Sequence, residues 1–135
     1  MKKFTLVIFL ILTYSKADII IVANESFPLD RIENELVKKI FLRQQKFVDS
    51  QKVVPFNLSV SSNERKSFET KVLKMEQSSL KSYWIESHYN GVRPPKQVNS
   101  ITAMKQYILN IKGAIGYLPR DQITTKMKQL TIVRE

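Results

Sequence analysis

Few side chains in this chain are equipped for bond chemistry. There is one histidine, His88, and no cysteine. That excludes disulfides and thiolate metal sites, and leaves neither a paired-imidazole zinc site nor a Ser-His triad with its partners in sight. The carboxylates Glu33, Glu35, Glu64, Glu69 and Glu86 fall on the polar faces of helical patterns, where solvation explains them, and an acid/base pair would need one of them buried. Better placed for chemistry is the stretch Asn57-Leu58-Ser59-Val60-Ser61-Ser62-Asn63, followed by Arg65. Hydroxyls and an amide ahead of a helix, with that helix's unpaired first-turn N–H groups, hold anions by hydrogen bonding without bond-making. Arg65, one turn in, adds a charge-assisted donor. Ordinary capping, Ser61 with Glu64 three residues on, accounts for the same pattern. Asn24 and Ser26, just after the first apolar run, form a second candidate pair. The expected ligand contacts are therefore Asn24, Ser26, Asn57, Ser59, Ser61, Ser62 and Arg65, with no catalytic residue, metal or cofactor.

Charge points the same way. The 135 residues carry a formal +10. Lys2 and Lys3, the apolar run Phe4 to Leu12 and the small-residue exit Ser15-Lys16-Ala17 have the order of a secretory signal cleaved after Ala17. The apolar run is far short of the roughly 20 residues a bilayer span needs, so an integral membrane protein is not expected. Removing residues 1–17 with their three lysines takes the charge from +10 to +7 and leaves 118 of the 135 residues, enough for one domain over 18–135. A basic exported domain favours phosphate-like ions or anionic surfaces; export argues against nucleic acid.

Alternating elements must position these residues. Ile19-Ile20-Ile21-Val22-Ala23 reads as a strand buried on both faces, as in parallel sheets covered by helices. Asp30 as N-cap opens a helix with Ile32, Leu36, Val37, Ile40 and Phe41 as its apolar stripe. Val53-Val54-Pro55-Phe56 is a strand in which Pro55 implies an end or edge position. Phe68, Val72 and Leu73 face inward from the helix after the serine loop, Leu80, Tyr83 and Trp84 mark another, and Tyr89 to Pro95 is a loop. Ser100 caps a helix with Ile101, Met104, Ile108 and Ile111 on one side, and Gly113 stops it. Ala114 to Tyr117 and Leu130 to Val133 are further strands. Strands alternating with helices predict a three-layer α/β sandwich with a mainly parallel sheet. Lys38, Lys39, Arg43, Lys46 and Lys52 cluster near one helix end, either a solvated face or a docking patch.

Leu29 to Leu42 (LDRIENELVKKIFL), Val53-Val54-Pro55, Trp84 and Gly113 to Tyr117 (GAIGY) with its closing strand resemble the second lobe of phosphate-type periplasmic solute-binding proteins. The resemblance covers nearly all of 18–135. It implies one lobe of the type II periplasmic-binding fold, phosphate or a similar oxyanion as ligand, and a place beside an ABC-type phosphate transporter in the periplasm. Phosphate-binding members cradle the anion with an Arg and an Asp-Gly-Ser-Gly-Thr segment. Phe56 to Asn63 stands there instead, without the glycines, the Asp or that Arg. Two readings follow: a weak oxyanion binder, or an interaction module serving an envelope sensor or transporter that keeps the fold without the ligand.

Overall fold

The computed structural model describes residues 18–133; the expected leader, 1–17, lies outside them. In chain order the elements are β1 (Ile19–Asn24), α1 (Asn34–Phe41), β2 (Phe47–Val48), β3 (Gln51–Lys52), β4 (Val54–Asn57) and α2 (Asn63–Phe68). After α2, which runs on as a π-helical turn to Leu73, come α3 (Gln77–Tyr89), β5 (Lys96–Gln97), α4 (Ile101–Asn110), β6 (Ala114–Pro119) and β7 (Met127–Val133).

Five strands form one sheet in the order β5-β4-β6-β1-β7, and β2 and β3 form a separate hairpin. β4 is parallel to β5 and β6, whereas β1 is antiparallel to both β6 and β7. Four of the five strands thus point one way and β1 alone points the other. The sheet is mainly parallel, as expected. The complete burial of β1, however, comes from its place between two strands and two helical layers, not from a parallel direction.

Consecutive residues of β6 show the layers. Gly116 meets α4: a Cβ there would stand 2.6 Å from Met104 Sδ and 3.2 Å from Ile108 Cδ1. Tyr117, on the opposite face because side chains alternate along a strand, stacks on Phe68 with ring centroids 4.3 Å apart and lies 6.2 Å from Phe41. α4 therefore covers one face, α1 and α2 the other. Among the described residues the sheet and core begin at Ile19.

The expected cap at Ser100 holds, its Oγ accepting the Ala103 amide at 3.0 Å. Gly113 is left-handed as expected, φ +78, but α4 has already ended at Asn110 with Ile111 extended, so Gly113 shapes the turn into β6 and does not stop the helix. Pro55 lies in an interior strand, yet β5 pairs only with Phe56 and Asn57. Val54 N–H bonds the Gly113 carbonyl on the β6 side at 2.8 Å, so the N–H that proline lacks would face the side where β5 has not begun. Two caps differ. α1 starts at Asn34 after Glu33, not Asp30. Lys128 Nζ binds the Phe27 carbonyl at 2.7 Å and Asp30 Oδ1 at 2.9 Å, tying that segment to β7 in a non-helical path. At α2 the cap is Ser62, not Ser61: its Oγ accepts the Arg65 amide at 3.1 Å, because a turn from the Ser59 carbonyl to the Ser62 amide, 2.9 Å, delays helix entry.

Candidate functional site at the carboxyl edge of the sheet

The loop Leu58 to Ser62 leaves β4 at the carboxyl edge shared by β4, β5 and β6, where open α/β sheets leave a crevice for ligands. Its base is fixed from inside the protein. Tyr117 O–H donates to Asn57 Oδ1 in a short hydrogen bond and accepts the Leu58 amide at 3.1 Å. Burial pushes the Tyr117 phenol well above the usual tyrosine range, the Leu58 amide offsetting only part of that. Asn57, expected to meet ligand, is buried and holds the end of β4 instead.

Arg65 rises from the first turn of α2. Its Nε donates to Glu69 Oε1 at 3.2 Å, and its Nη1 to the Leu58 carbonyl at 2.8 Å and to Gln97 Oε1 at 3.3 Å. Nη2 has no partner among the described residues. Glu69, expected on a solvated face, is buried; the charge of Arg65 makes that burial tolerable. Ser59 and Ser61 share a hydrogen bond between their hydroxyls, 3.0 Å, on the surface of the loop. The Ser62 hydroxyl and carbonyl take the Arg65 and Lys66 amides, so the Asn63 and Glu64 amides at the helix start are without hydrogen-bond partners among the described residues. Ser59, Ser61, Ser62 and Arg65 are therefore brought together, with Gln97 from β5 added. A two-residue strand after Pro94-Pro95 gave no periodicity from which Gln97 could have been read.

Asn24 and Ser26 do not join them. Because β1 runs opposite to its neighbours, its end lies at the amino edge, roughly 15 Å along the strands from the serine loop. Asn24 Nδ2 donates to the Ile108 and Leu109 carbonyls at 2.8 and 3.1 Å, closing the end of α4, and its Oδ1 accepts the Ser26 amide at 2.9 Å. Ser26 Oγ accepts the Gly113 amide at 3.0 Å. Both brace the α4 to β6 turn.

The Tyr117 hydroxyl sets a pH dependence with a definite sign. In the unfolded chain a tyrosine ionises near pH 10; in the fold Tyr117 holds its proton beyond that. Its contribution is fully present below about pH 10 and is lost as pH rises above it, by up to about 1.4 kcal/mol per pH unit. Urea unfolding between pH 9 and 11 should show Tyr117→Phe losing less stability with pH than the parent. Parallel slopes would contradict this. At neutral pH the same variant, which leaves the Leu58 amide and Asn57 Oδ1 unpaired, should cost about 2 kcal/mol.

No protein-family model matches the chain, and no curated protein matches it. Solved structures do. An ABC-type phosphate transport receptor from Vibrio cholerae matches with TM-score 0.69 and 21% identity over 85% of this chain and 46% of the receptor. PstS from Borrelia burgdorferi matches with TM-score 0.65 and 13% identity over 85% of this chain and 47% of PstS. The chain thus spans about half the length of the structures it matches. Among the described residues no helix is long and apolar enough to cross a membrane. With its mainly parallel sheet, one reversed strand and helices on both faces, the chain has the fold of one lobe of a phosphate ABC transporter substrate-binding protein.

Proposed function

We propose that this chain is an exported, non-enzymatic binding module that holds phosphate or a similar oxyanion at the carboxyl edge of its sheet. One observation carries the reading: the Ser59 and Ser61 hydroxyls, the Asn63 and Glu64 amides and the spare Nη2 of Arg65 are grouped on the loop and helix start that leave β4. The similarity to phosphate receptors supports it, as does the net positive charge. The signal-like residues 1–17 support export, and the likeness to phosphate transport receptors supports a periplasmic place beside a membrane transporter.

Affinity is modest on this reading. An ion held by one lobe keeps part of its water, and Glu69 offsets much of the Arg65 charge. Calorimetric titration with phosphate should give a Kd on the order of 0.1–1 mM. Ser59→Ala with Ser61→Ala should weaken it about tenfold through two lost hydrogen bonds. No heat at millimolar phosphate removes the solute-binding reading. It would favour an accessory to an envelope sensor or transporter, for which the engagement of Arg65 with its own chain speaks.

A further inference from the structure

The amino edge of the sheet, away from the serine loop, carries a different surface. Between Lys38 and Lys52 stand Lys38, Lys39, Arg43, Lys46 and Lys52 against Asp49 alone. The hairpin of β2 and β3 orders part of this set. Asp49 and Ser50 turn the chain with φ +46 and +65, the double left-handed geometry of a tight two-residue hairpin. Val48 is buried and Gln51 Nε2 reaches Ser26 Oγ at 3.5 Å, so that face of the hairpin lies on the protein. The other face carries Phe47 directly opposite Lys52. Phe47 is 57% exposed, Lys46 precedes it, and both lysines are exposed. Lys112 joins the edge, since Lys52 and Lys112 line one cavity and Gly113 packs on the Lys52 carbonyl. None of these cations is in an ion pair among the described residues.

We propose that this face docks on an anionic lipid bilayer, with Phe47 entering the interfacial layer and Lys46, Lys52 and Lys112 contacting headgroups. Cations favour any anionic partner. An outward aromatic ring with Lys52 directly opposite it on a pinned hairpin adds what a membrane interface takes up and a purely polar surface does not. Docking here turns the carboxyl edge of the sheet away from the bilayer, so the serine loop stays open to solvent. The surface is independent of whether that loop binds an oxyanion.

The test is co-sedimentation of the chain starting at Asp18, which contains the sheet and core of the described residues, with vesicles of phosphatidylcholine alone or with roughly a third phosphatidylglycerol. Starting at Asp18 removes the apolar Phe4 to Leu12, which would bind lipid by itself. The parent should pellet with the anionic vesicles at low salt, not with the neutral ones, and lose the interaction as salt rises. A near-surface cation is worth about fivefold in partitioning, so Lys46→Ala with Lys52→Ala should lower binding about 25-fold. Phe47→Ala should lower it about fivefold with all charges kept. All three residues are exposed, so the variants should fold. Parent binding that fails on anionic vesicles, that survives both sets of substitutions, or that is weaker than binding to a DNA duplex at the same salt overturns the proposal.

Discussion

Gly113→Ala is expected to destabilise the protein by about 4 kcal/mol, and Gly91→Ala by only about 1 kcal/mol, although both glycines have positive φ, +78 and +74. The strain of a left-handed alanine is common to the two. The difference is space. A Cβ at Gly91 meets nothing within 4 Å, whereas at Gly113 it would overlap the Lys52 carbonyl oxygen, a backbone atom that cannot rotate away. Relieving that overlap separates two elements that Gly113 ties together: its carbonyl accepts the Val54 amide at 2.8 Å, and its amide donates to Ser26 Oγ at 3.0 Å. Gly113→Ala therefore strains the start of β4 and the α4 to β6 turn together. Urea unfolding of both variants checks this, and equal losses would show that conformation alone sets the cost. Gly116→Ala should fall between them, because its nearest neighbours are the flexible ends of Met104 and Ile108.

Phe68→Ala should cost about 4 kcal/mol, within the range for emptying a fully buried aromatic site. The ring is 0% exposed. It stacks on Tyr117 at 4.3 Å with planes 8° apart, and tilts against Phe41 at 4.6 Å. Removing it takes a layer from between α1 and the sheet and leaves two aromatic neighbours without contact on one side. Phe68→Leu, which keeps most of the volume, should cost about half as much. Because Phe68 also seats Tyr117, whose hydroxyl fixes Leu58 at the base of the serine loop, the alanine variant should bind phosphate less tightly than its remaining folded fraction accounts for. A loss below about 2 kcal/mol would mean that the site collapses and that the three-ring stack is not a tightly packed core contact.

Much of the architecture could be read along the chain because it depends on local pattern. Four strands of the five-stranded sheet show as apolar runs, and the helical stripes at Val37, Ile40 and Phe41 and at Met104 and Ile108 are buried as their spacing implies. Two short elements escaped: β5 and the β2–β3 hairpin are each built from strands of two residues, too short to carry a period. Cap positions moved by one to three residues because competing tertiary bonds, Lys128 to Asp30 and the turn from Ser59 to Ser62, decide where a helix can begin.

The site divides along the same line. Residue types and their order set a serine loop with Arg65 at the start of a helix after β4, since a capping pattern is local in sequence. Whether Asn24 and Ser26 share that site depends on the direction of β1. A run of β-branched residues is equally buried pointing up or down a sheet, so its composition holds no information on direction. Only the pairing of β1 against β6 and β7 sends Asn24 to the far edge. The Glu69 partner of Arg65 stands at local i,i+4 spacing, but Gln97 was beyond any local pattern, because it lies thirty-two positions away and meets Arg65 only where β5 joins β4.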